Sequence, residues 1–580
     1  MERIYRAIGA LSVNHSCVTK LLLASFRHRL SNGRPRLRHP TKEVRPVSSN
    51  DTTTTPDNTP PGTPPGAPAE GSAALSRLLR VLGAIERWGN KLPHPFWLFA
   101  ILSALLAVVS WGLASADVSA DNPADGKTVV VRSLISVDGV RSMITDAITN
   151  YATFPPLGTI LVVMLGVAVA DKSGMLTAML RAGVSRVPAR WMTFALAFTS
   201  MVAHIASDAA YVVLVPLGGL AFRAVGRSPV LGIVVAFVGV SAGYDASPLI
   251  TPMDAVLSGL TTAAAHTVDP GYTVTPLANY FFSIASSVVL AAVITLVTEK
   301  VSARQVAALP PDSGETTTED DADPVALDLR PEERRGLRRS GLVFLLFLAA
   351  IVVAMIPAGS PLRGEGGSIV ESPVLSGIAV VLGVLFALLG TVYGRAAGTV
   401  RGSRDIPDFM AQGMREMAPI LVLFFAISQF LAYFKWTGVG QVLAIRGADL
   451  LKDLGVTGPV AFLGIVVVCT VINLAMTSGS AMWALVSPVF VPMLMLLDVP
   501  PEATQAIYRI ADSCTNAITP MSAYFVMALG FLQRYRRSAG IGTLASLTLP
   551  LSLAMLVTWT LLFYAWWALG IPLGPGAPVR

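Results

Sequence analysis

The chemistry open to this 580-residue chain rests on a handful of polar side chains set inside long apolar runs. Arg509 and Asp512 lie three residues apart, which puts them on one face of a helix. There the guanidinium can grip a carboxylate through two parallel hydrogen bonds while the aspartate offers oxygens to an ion; the alternative is a structural ion pair between the two. Asp208 stands in Ala206-Ser207-Asp208-Ala209, an interruption of an apolar run, with no Lys or Arg within a helical turn. An ionisable residue at membrane depth is a functional candidate by default, the bland alternative being an acid hydrogen-bonded to nearby backbone. A second interruption, Thr477-Ser478-Gly479-Ser480, follows Asn473 and precedes Trp483. Neutral oxygens of Asn473, Ser478 and Ser480, together with freed carbonyls and one carboxylate, make a donor set for a hard monovalent cation. Trp483 reads either as packing or as a plate for an aromatic ring. Asp245 and Asp254 flank a third break, Gly243 to Pro252, where Asp254 also reads as a cap of the continuing helix. His204 and His266 show no ligand spacing, and Cys17, Cys469 and Cys514 make neither a disulfide framework nor a zinc cluster.

What must position these residues is a membrane scaffold. The chain is 53% hydrophobic and 14% charged, against about 25% charged in ordinary soluble proteins, and its mean hydropathy is +0.62. The net charge of +7 resembles a nucleic-acid signal until it is located: residues 1–91 hold fourteen Lys/Arg against six Asp/Glu, so the remainder sums to −1. That excludes a basic binding face on the main body. Residues 1–75, with the Arg-rich run Arg27 to Arg45 and a Thr/Pro stretch, read as a disordered N-terminal cytoplasmic tail. An Arg-rich, acid-poor start also suits a targeting peptide, but Leu21 to Ala24 is too short for a secretory core.

Apolar runs long enough to cross about 30 Å of hydrocarbon follow, oriented by Lys and Arg on the inner side. The expected spans are Phe96–Ala114, Leu157–Ala170, Val230–Ala265, Leu277–Val297, Leu342–Ile356, Val374–Val392, Pro419–Phe434, Ala503–Leu532 and Leu544–Leu569. Two interrupted units, Trp191–Phe222 and Val460–Leu497, read as re-entrant hairpins, giving an all-α polytopic membrane protein of nine transmembrane helices plus two hairpins. The divisions are 1–75 (tail), 76–154 (first span, outer loop and interfacial helix), 155–299 (first repeat, hairpin 191–222), 300–340 (cytoplasmic linker), 341–416 (two scaffold spans), 417–570 (second repeat, hairpin 460–497) and 571–580 (C-terminal tail).

The two repeats are visible in the letters. Ser207-Asp208-Ala209-Ala210 with Leu214-Val215 answers to Ser478-Gly479-Ser480-Ala481 with Leu485-Val486, and Ile250-Thr251-Pro252-Met253 recurs as Ile518-Thr519-Pro520-Met521. The two elements are 43 residues apart in the first half and 40 in the second. One unit begins with an inward span and the other with an outward one, so the copies are inverted. Inverted repeats with broken helices are the build of secondary transporters, whose substrates bind near the midplane between the breaks. Freed backbone groups are costly in lipid and survive only where protein, water or a ligand satisfies them, so the breaks are expected to converge.

These residues resemble the AbgT family of aminobenzoyl-glutamate transporters. The carriers of the resemblance are Ile85 to Pro93, Ala206 to Leu214, Trp483-Ala484-Leu485 with Val489 to Met493, and most specifically Tyr508 to Pro520, over roughly Ala84 to Leu569. The resemblance implies a homodimer of nine spans and two re-entrant hairpins in the inner (plasma) membrane, handling folate breakdown products or exporting sulfonamide antimetabolites. It implies a substrate pathway through Asp208, Ser480, Trp483, Arg509, Asp512 and Pro520, and a sodium site at Asn473 and Asp512. The first break departs from the family's usual Ser-Ala-Asn: here it reads Asp245-Ala246-Ser247-Pro248, an extra acid and an extra proline that favour a proton over sodium.

The expectation is a secondary active transporter for an amphipathic aromatic carboxylate, coupled to a sodium or proton gradient by alternating access, with no other cofactor. The rival within transport is an ion-coupled dicarboxylate carrier, which would show Ser-Asn-Thr at the hairpin tips. An intramembrane enzyme is the rival from another class; no His-Glu-x-x-His pair, nucleophile elbow or Asp-rich diphosphate motif supports it.

Overall fold

The computed structural model describes residues 93–121, 128–185, 187–309, 328–357, 359–369, 372–456 and 458–580. The expected tail 1–75 and the approach to the first helix lie outside them. Within them the fold is almost wholly helical, apart from a two-stranded antiparallel ribbon pairing Ser119–Asp121 with Thr128–Val130.

Seven helices among the described residues are long and apolar enough to cross a membrane: Pro95–Ser115, Pro155–Lys172, Tyr280–Ala307, Pro331–Met355, Ile378–Ala397, Asp405–Trp436 and Ile541–Leu569. Proline opens several of them at the first turn, where a missing N–H costs nothing. Shorter apolar helices fill the interrupted regions: Met192–Val202 with Ala209–Ala224, Pro229–Ser241 with Pro252–Ala265, Gly458–Ala475 with Gly479–Met495, and Pro501–Thr515 with Ala523–Tyr535. Every interruption expected from the sequence is present.

Three features went unread. Pro419 was expected to begin a span, yet it lies inside the helix Asp405–Trp436, whose polar first turns disguise its start. The boundary expected at 416/417 falls within that helix, and the one at 340/341 within Pro331–Met355. The amphipathic helices Met175–Val184 and Val439–Asp453 lie outside the expected spans, because neither makes an unbroken apolar run.

Around the interrupted helices stands a tightly packed set of long ones. Pro155–Lys172 packs along Ile378–Ala397 and against Asp405–Trp436. The first contact is backbone to backbone: a side chain at Gly166 would run into the carbonyl of Gly383. Pro331–Met355 leans on Ile378–Ala397 and turns Leu342, Leu345, Leu346, Val352 and Val353 outward, an apolar surface suited to lipid. The helix Pro501–Thr515 is buried along its whole length, although it carries Glu502, Gln505, Arg509 and Asp512. Polar residues on a fully buried helix need partners from other elements, and those partners define the site.

Candidate functional site

Each interrupted unit packs on the helix that precedes its own Ile-Thr-Pro-Met segment. Met192–Val202 and Ala209–Ala224 lie on Pro229–Ser241, while Gly458–Ala475 and Gly479–Met495 lie on Pro501–Thr515. Further contacts between Pro252–Ala265 and both Gly479–Met495 and Pro501–Thr515 bring the first half onto the second.

At the second interruption, Asn473 ends its helix buried, and its amide nitrogen donates to the Asp512 carbonyl (2.5 Å), Thr515 Oγ1 (2.6 Å) and Asn516 Oδ1 (3.1 Å). Thr519 Oγ1 donates to the Leu474 carbonyl at 2.9 Å, fastening the Ile518-to-Met521 segment, with half-buried Pro520, to the same helix end. Ser478 caps the next helix through Ala481 N–H, and Ser480 is buried in its first turn. Tyr508 Oη donates to the Gly479 carbonyl at 2.6 Å. Gly479 sits so close to Asp512 that a Cβ there would meet Oδ2 at 2.7 Å. Two oxygens at this spot, Asn473 Oδ1 and Asp512 Oδ1, are buried without a hydrogen-bond partner. A carboxamide oxygen and a carboxyl oxygen, both without a hydrogen-bond partner among the described residues beside a broken helix, suit a monovalent cation. Among the described residues no cluster of three or more His, Cys, Asp or Glu suits a tightly held metal.

Arg509 is 4% exposed and reaches the first half of the chain. Its Nη2 is bonded to Asp254 Oδ1, and its Nε faces Asp245 Oδ1 at 3.6 Å. The i,i+3 pairing with Asp512 that the sequence allowed is not what forms; the guanidinium turns instead to the two acids of the first break. Asp254 is held on its other oxygen as well, since Thr251 N–H and Oγ1 donate to Oδ2 at 2.7 and 2.8 Å in a capping box. Asp245 is anchored by Ser513, which accepts from the Asp245 N–H at 3.1 Å and donates to Oδ2 at 3.3 Å.

Trp483 is fully buried and stacked on Tyr508 with ring centroids 4.3 Å apart, so in this conformation it packs rather than presenting a face. Its Nε1 donates to Thr261 Oγ1 (2.9 Å), which meets Gln505 Oε1 (2.6 Å); Gln505 Nε2 donates to Asn279 Oδ1 (3.0 Å), and Asn279 Nδ2 to the Glu502 carbonyl (3.0 Å). Tyr272 Oη closes the chain on Glu502 Oε2 at 2.9 Å.

Asp208 lies apart from Arg509, exposed on the wall of a cavity of about 140 Å³. The cavity is also lined by His204, Tyr244, Thr251, Pro252 and Met253, with Met164 and Met417 from the surrounding helices. The Tyr524 ring stacks on Tyr211 at 4.0 Å, a contact that joins the two halves. Ser207, just before Asp208, holds φ 48° and ψ −129°, a conformation that L-residues rarely adopt. His204 is buried edge-on to Tyr244, and His266 Nε2 meets the Tyr272 carbonyl at 3.0 Å.

The structure thus joins Asn473 to the Asp512 backbone, buries Ser480 in the first turn of the helix whose Gly479 abuts Asp512, stacks Trp483 on Tyr508, turns Arg509 to Asp245 and Asp254, and sets Asp208 on the wall of a cavity. Sequence reasoning named Asp245 and Asp254 but not their hold on Arg509. Thr261, Gln505 and Tyr524 were missed, and Tyr508 and Tyr211 entered only as letters of the resembling motifs, since a lone polar residue in an apolar helix signals burial but not its partner.

Comparison with known proteins agrees with this architecture. A family model described as the AbgT putative transporter family matches residues 80–580. The p-aminobenzoyl-glutamate transport protein of Escherichia coli (strain K12) is 39% identical over 498 residues, which is 86% of this chain and 96% of that one. Two relatives of solved structure share 40% identity. They are the YdaH transporter of Alcanivorax borkumensis (TM-score 0.77, 83% of this chain and all of that one) and MtrF of Neisseria gonorrhoeae, described among antimetabolite efflux pumps (TM-score 0.81, 86% of this chain and all of that one).

Proposed function

The chain belongs to the AbgT family of transporters, and from that premise we propose that it carries an aromatic carboxylate of the p-aminobenzoyl-glutamate or sulfonamide-antimetabolite type across the inner membrane. The observation that carries the reading is the buried guanidinium of Arg509, beside Asp512, at the point where both interrupted halves meet. A guanidinium out of water is a strong and geometrically selective receptor for a carboxylate. Trp483 and Tyr508 supply aromatic surface next to it, and Asp208 lines the cavity through which a substrate approaches.

Coupling to a sodium or proton gradient fits the unsatisfied oxygens of Asn473 and Asp512, which would hold the coupling cation as a co-substrate. The repeated placement of each interrupted unit on the helix before its Ile-Thr-Pro-Met segment supports an inverted repeat of nine spans and two hairpins, working by alternating access. In this reading the long helices Pro155–Lys172, Ile378–Ala397 and Asp405–Trp436 form a scaffold, on which a homodimer is expected to rest, and the N-terminus is cytoplasmic.

Reconstitution into vesicles with labelled p-aminobenzoyl-glutamate, imposing sodium and proton gradients separately, tests this. Uptake driven by either gradient, and lost in Asp512→Ala, is the expected result. If neither gradient moves that compound or a sulfonamide, the substrate assignment fails.

A further inference from the structure

The segment Tyr244 to Asp254 faces two ways. Tyr244, Thr251, Pro252 and Met253 line the cavity that holds Asp208, whereas Asp245 and Asp254 are turned onto Arg509. The two acids are held very differently. Asp254 is satisfied on both oxygens, by Arg509 on one and by Thr251 N–H and hydroxyl on the other. Asp245 Oδ1 has no hydrogen bond, and neither has the Arg509 Nε it faces at 3.6 Å, although both atoms are buried. The Nε–Nη2 edge of a guanidinium is shaped to bind one carboxylate through two parallel bonds. Here that edge is divided between two carboxylates, one bonded at Nη2 and one standing off at Nε.

We infer that Asp245 is an internal place-holder for the substrate's carboxylate: it occupies the Nε edge of Arg509 when the site is empty and is displaced when an anionic ligand arrives. This rests on the assignment of Arg509 to the substrate carboxylate and adds the group with which that carboxylate must compete. The competition is forced by charge. Asp245 and Asp254 already place two buried carboxylates on one guanidinium, and a third beside them lacks a counter-charge. An incoming carboxylate gains at Nε the hydrogen bond that Asp245 does not make. Asp245 can retreat because, among the described residues, Ser513 makes the one hydrogen bond to its side chain, while Asp254 stays and keeps Arg509 aimed. Because Asp245 and the cavity-lining residues share one segment, its withdrawal moves the wall between cavity and guanidinium.

Calorimetric binding to the full-length protein in detergent tests this with two probes, p-aminobenzoyl-glutamate and the uncharged p-aminobenzamide. Asp245→Asn is expected to bind the anion on the order of tenfold more tightly, about 1.4 kcal/mol, with the amide unchanged. Asp254→Asn is expected to weaken the anion. Asp245→Ser serves as a second variant should the amide disturb folding. The inference is overturned if Asp245→Asn and Asp245→Ser bind the anion no better than wild type, or if both probes change equally. Should wild type bind no anion at all, the substrate reading fails by itself. The place-holder is then judged by phenylglyoxal modification of Arg509, with Arg509→Lys as the blank. Faster modification in Asp245→Asn than in wild type upholds it, and equal rates overturn it.

Discussion

Substituting Gly479 by alanine isolates the contact between the second break and Asp512. The added methyl would lie 2.7 Å from Asp512 Oδ2, 3.3 Å from Cγ and 3.4 Å from Oδ1. Carbon–oxygen contacts settle near 3.3–3.6 Å, so the nearer oxygen has to withdraw by roughly 0.6 Å or more. It has little room, because Asp512 is 1% exposed and its carbonyl is held by Asn473 at 2.5 Å. Overpacking of this kind costs about 1–3 kcal/mol. If the strain falls on the arrangement that holds a cation, affinity drops roughly 5- to 150-fold. The sign is diagnostic: at an unstrained helical position glycine to alanine would stabilise by about 0.4–1 kcal/mol. The assay is the sodium concentration giving half-maximal uptake in proteoliposomes, read beside thermal unfolding in detergent. Wild-type sodium dependence together with an unchanged or raised Tm in Gly479→Ala would refute the argument.

Ser207→Gly removes a side chain from a backbone held at φ 48°, and is expected to stabilise the protein by about 1 kcal/mol in thermal unfolding. Trp483→Phe loses the bond to Thr261 Oγ1 and should cost about 1–3 kcal/mol; Thr261→Val should cost a similar amount, with the double variant far from additive in the same measurement. Asp208→Asn is expected to lower uptake without changing Tm, since Asp208 lies exposed on the cavity wall; a large loss of stability would make it structural instead. Arg509→Ala leaves Asp254 and Asp245 buried without their cation and should cost about 3–5 kcal/mol, whereas Arg509→Ala with Asp254→Ala should recover part of that loss.

How much of this was legible in the sequence depended on whether the signal was local. Breaks were legible because Pro252, Pro520 and the Ser-Gly-Ser at 478–480 act on their own backbone. The cap at Asp254 was legible for the same reason: Thr251 and Asp254 are three residues apart, the reach of a capping box. The partner of Arg509 was not. Helical spacing offered Asp512, but 255 residues separate Arg509 from the acid it binds, and only packing of the two halves brings them together. Length misled once: the polar first turns of Asp405–Trp436 lie outside the apolar run, so periodicity placed the helix start at Pro419.

The distribution of polar bonds bears on how such a site opens. The interrupted helices meet through one buried apolar cluster, Leu214, Phe462 and Met482 among it, which also crosses between the halves where Phe237 packs on Phe525. At the site itself, polar contacts also join the halves: Ser513 to Asp245, Arg509 to Asp254, and Trp483 and Gln505 to Thr261. Apolar surfaces that separate lose their burial outright, at about 25 cal/mol per Å². A hydrogen bond that separates into a wetted or ligand-filled site exchanges one partner for another, and its net worth is only about 0.5–1.5 kcal/mol. On the alternating-access reading proposed above, the polar patch of the seam is the part that separates at least cost, provided something polar enters as it opens. Water serves for the hydroxyls and amides, whereas the ionic contacts at Arg509 need a carboxylate to replace the one that leaves. An apolar solute entering the cavity would leave them unmatched, so the same charges that close the empty site select an anion to open it.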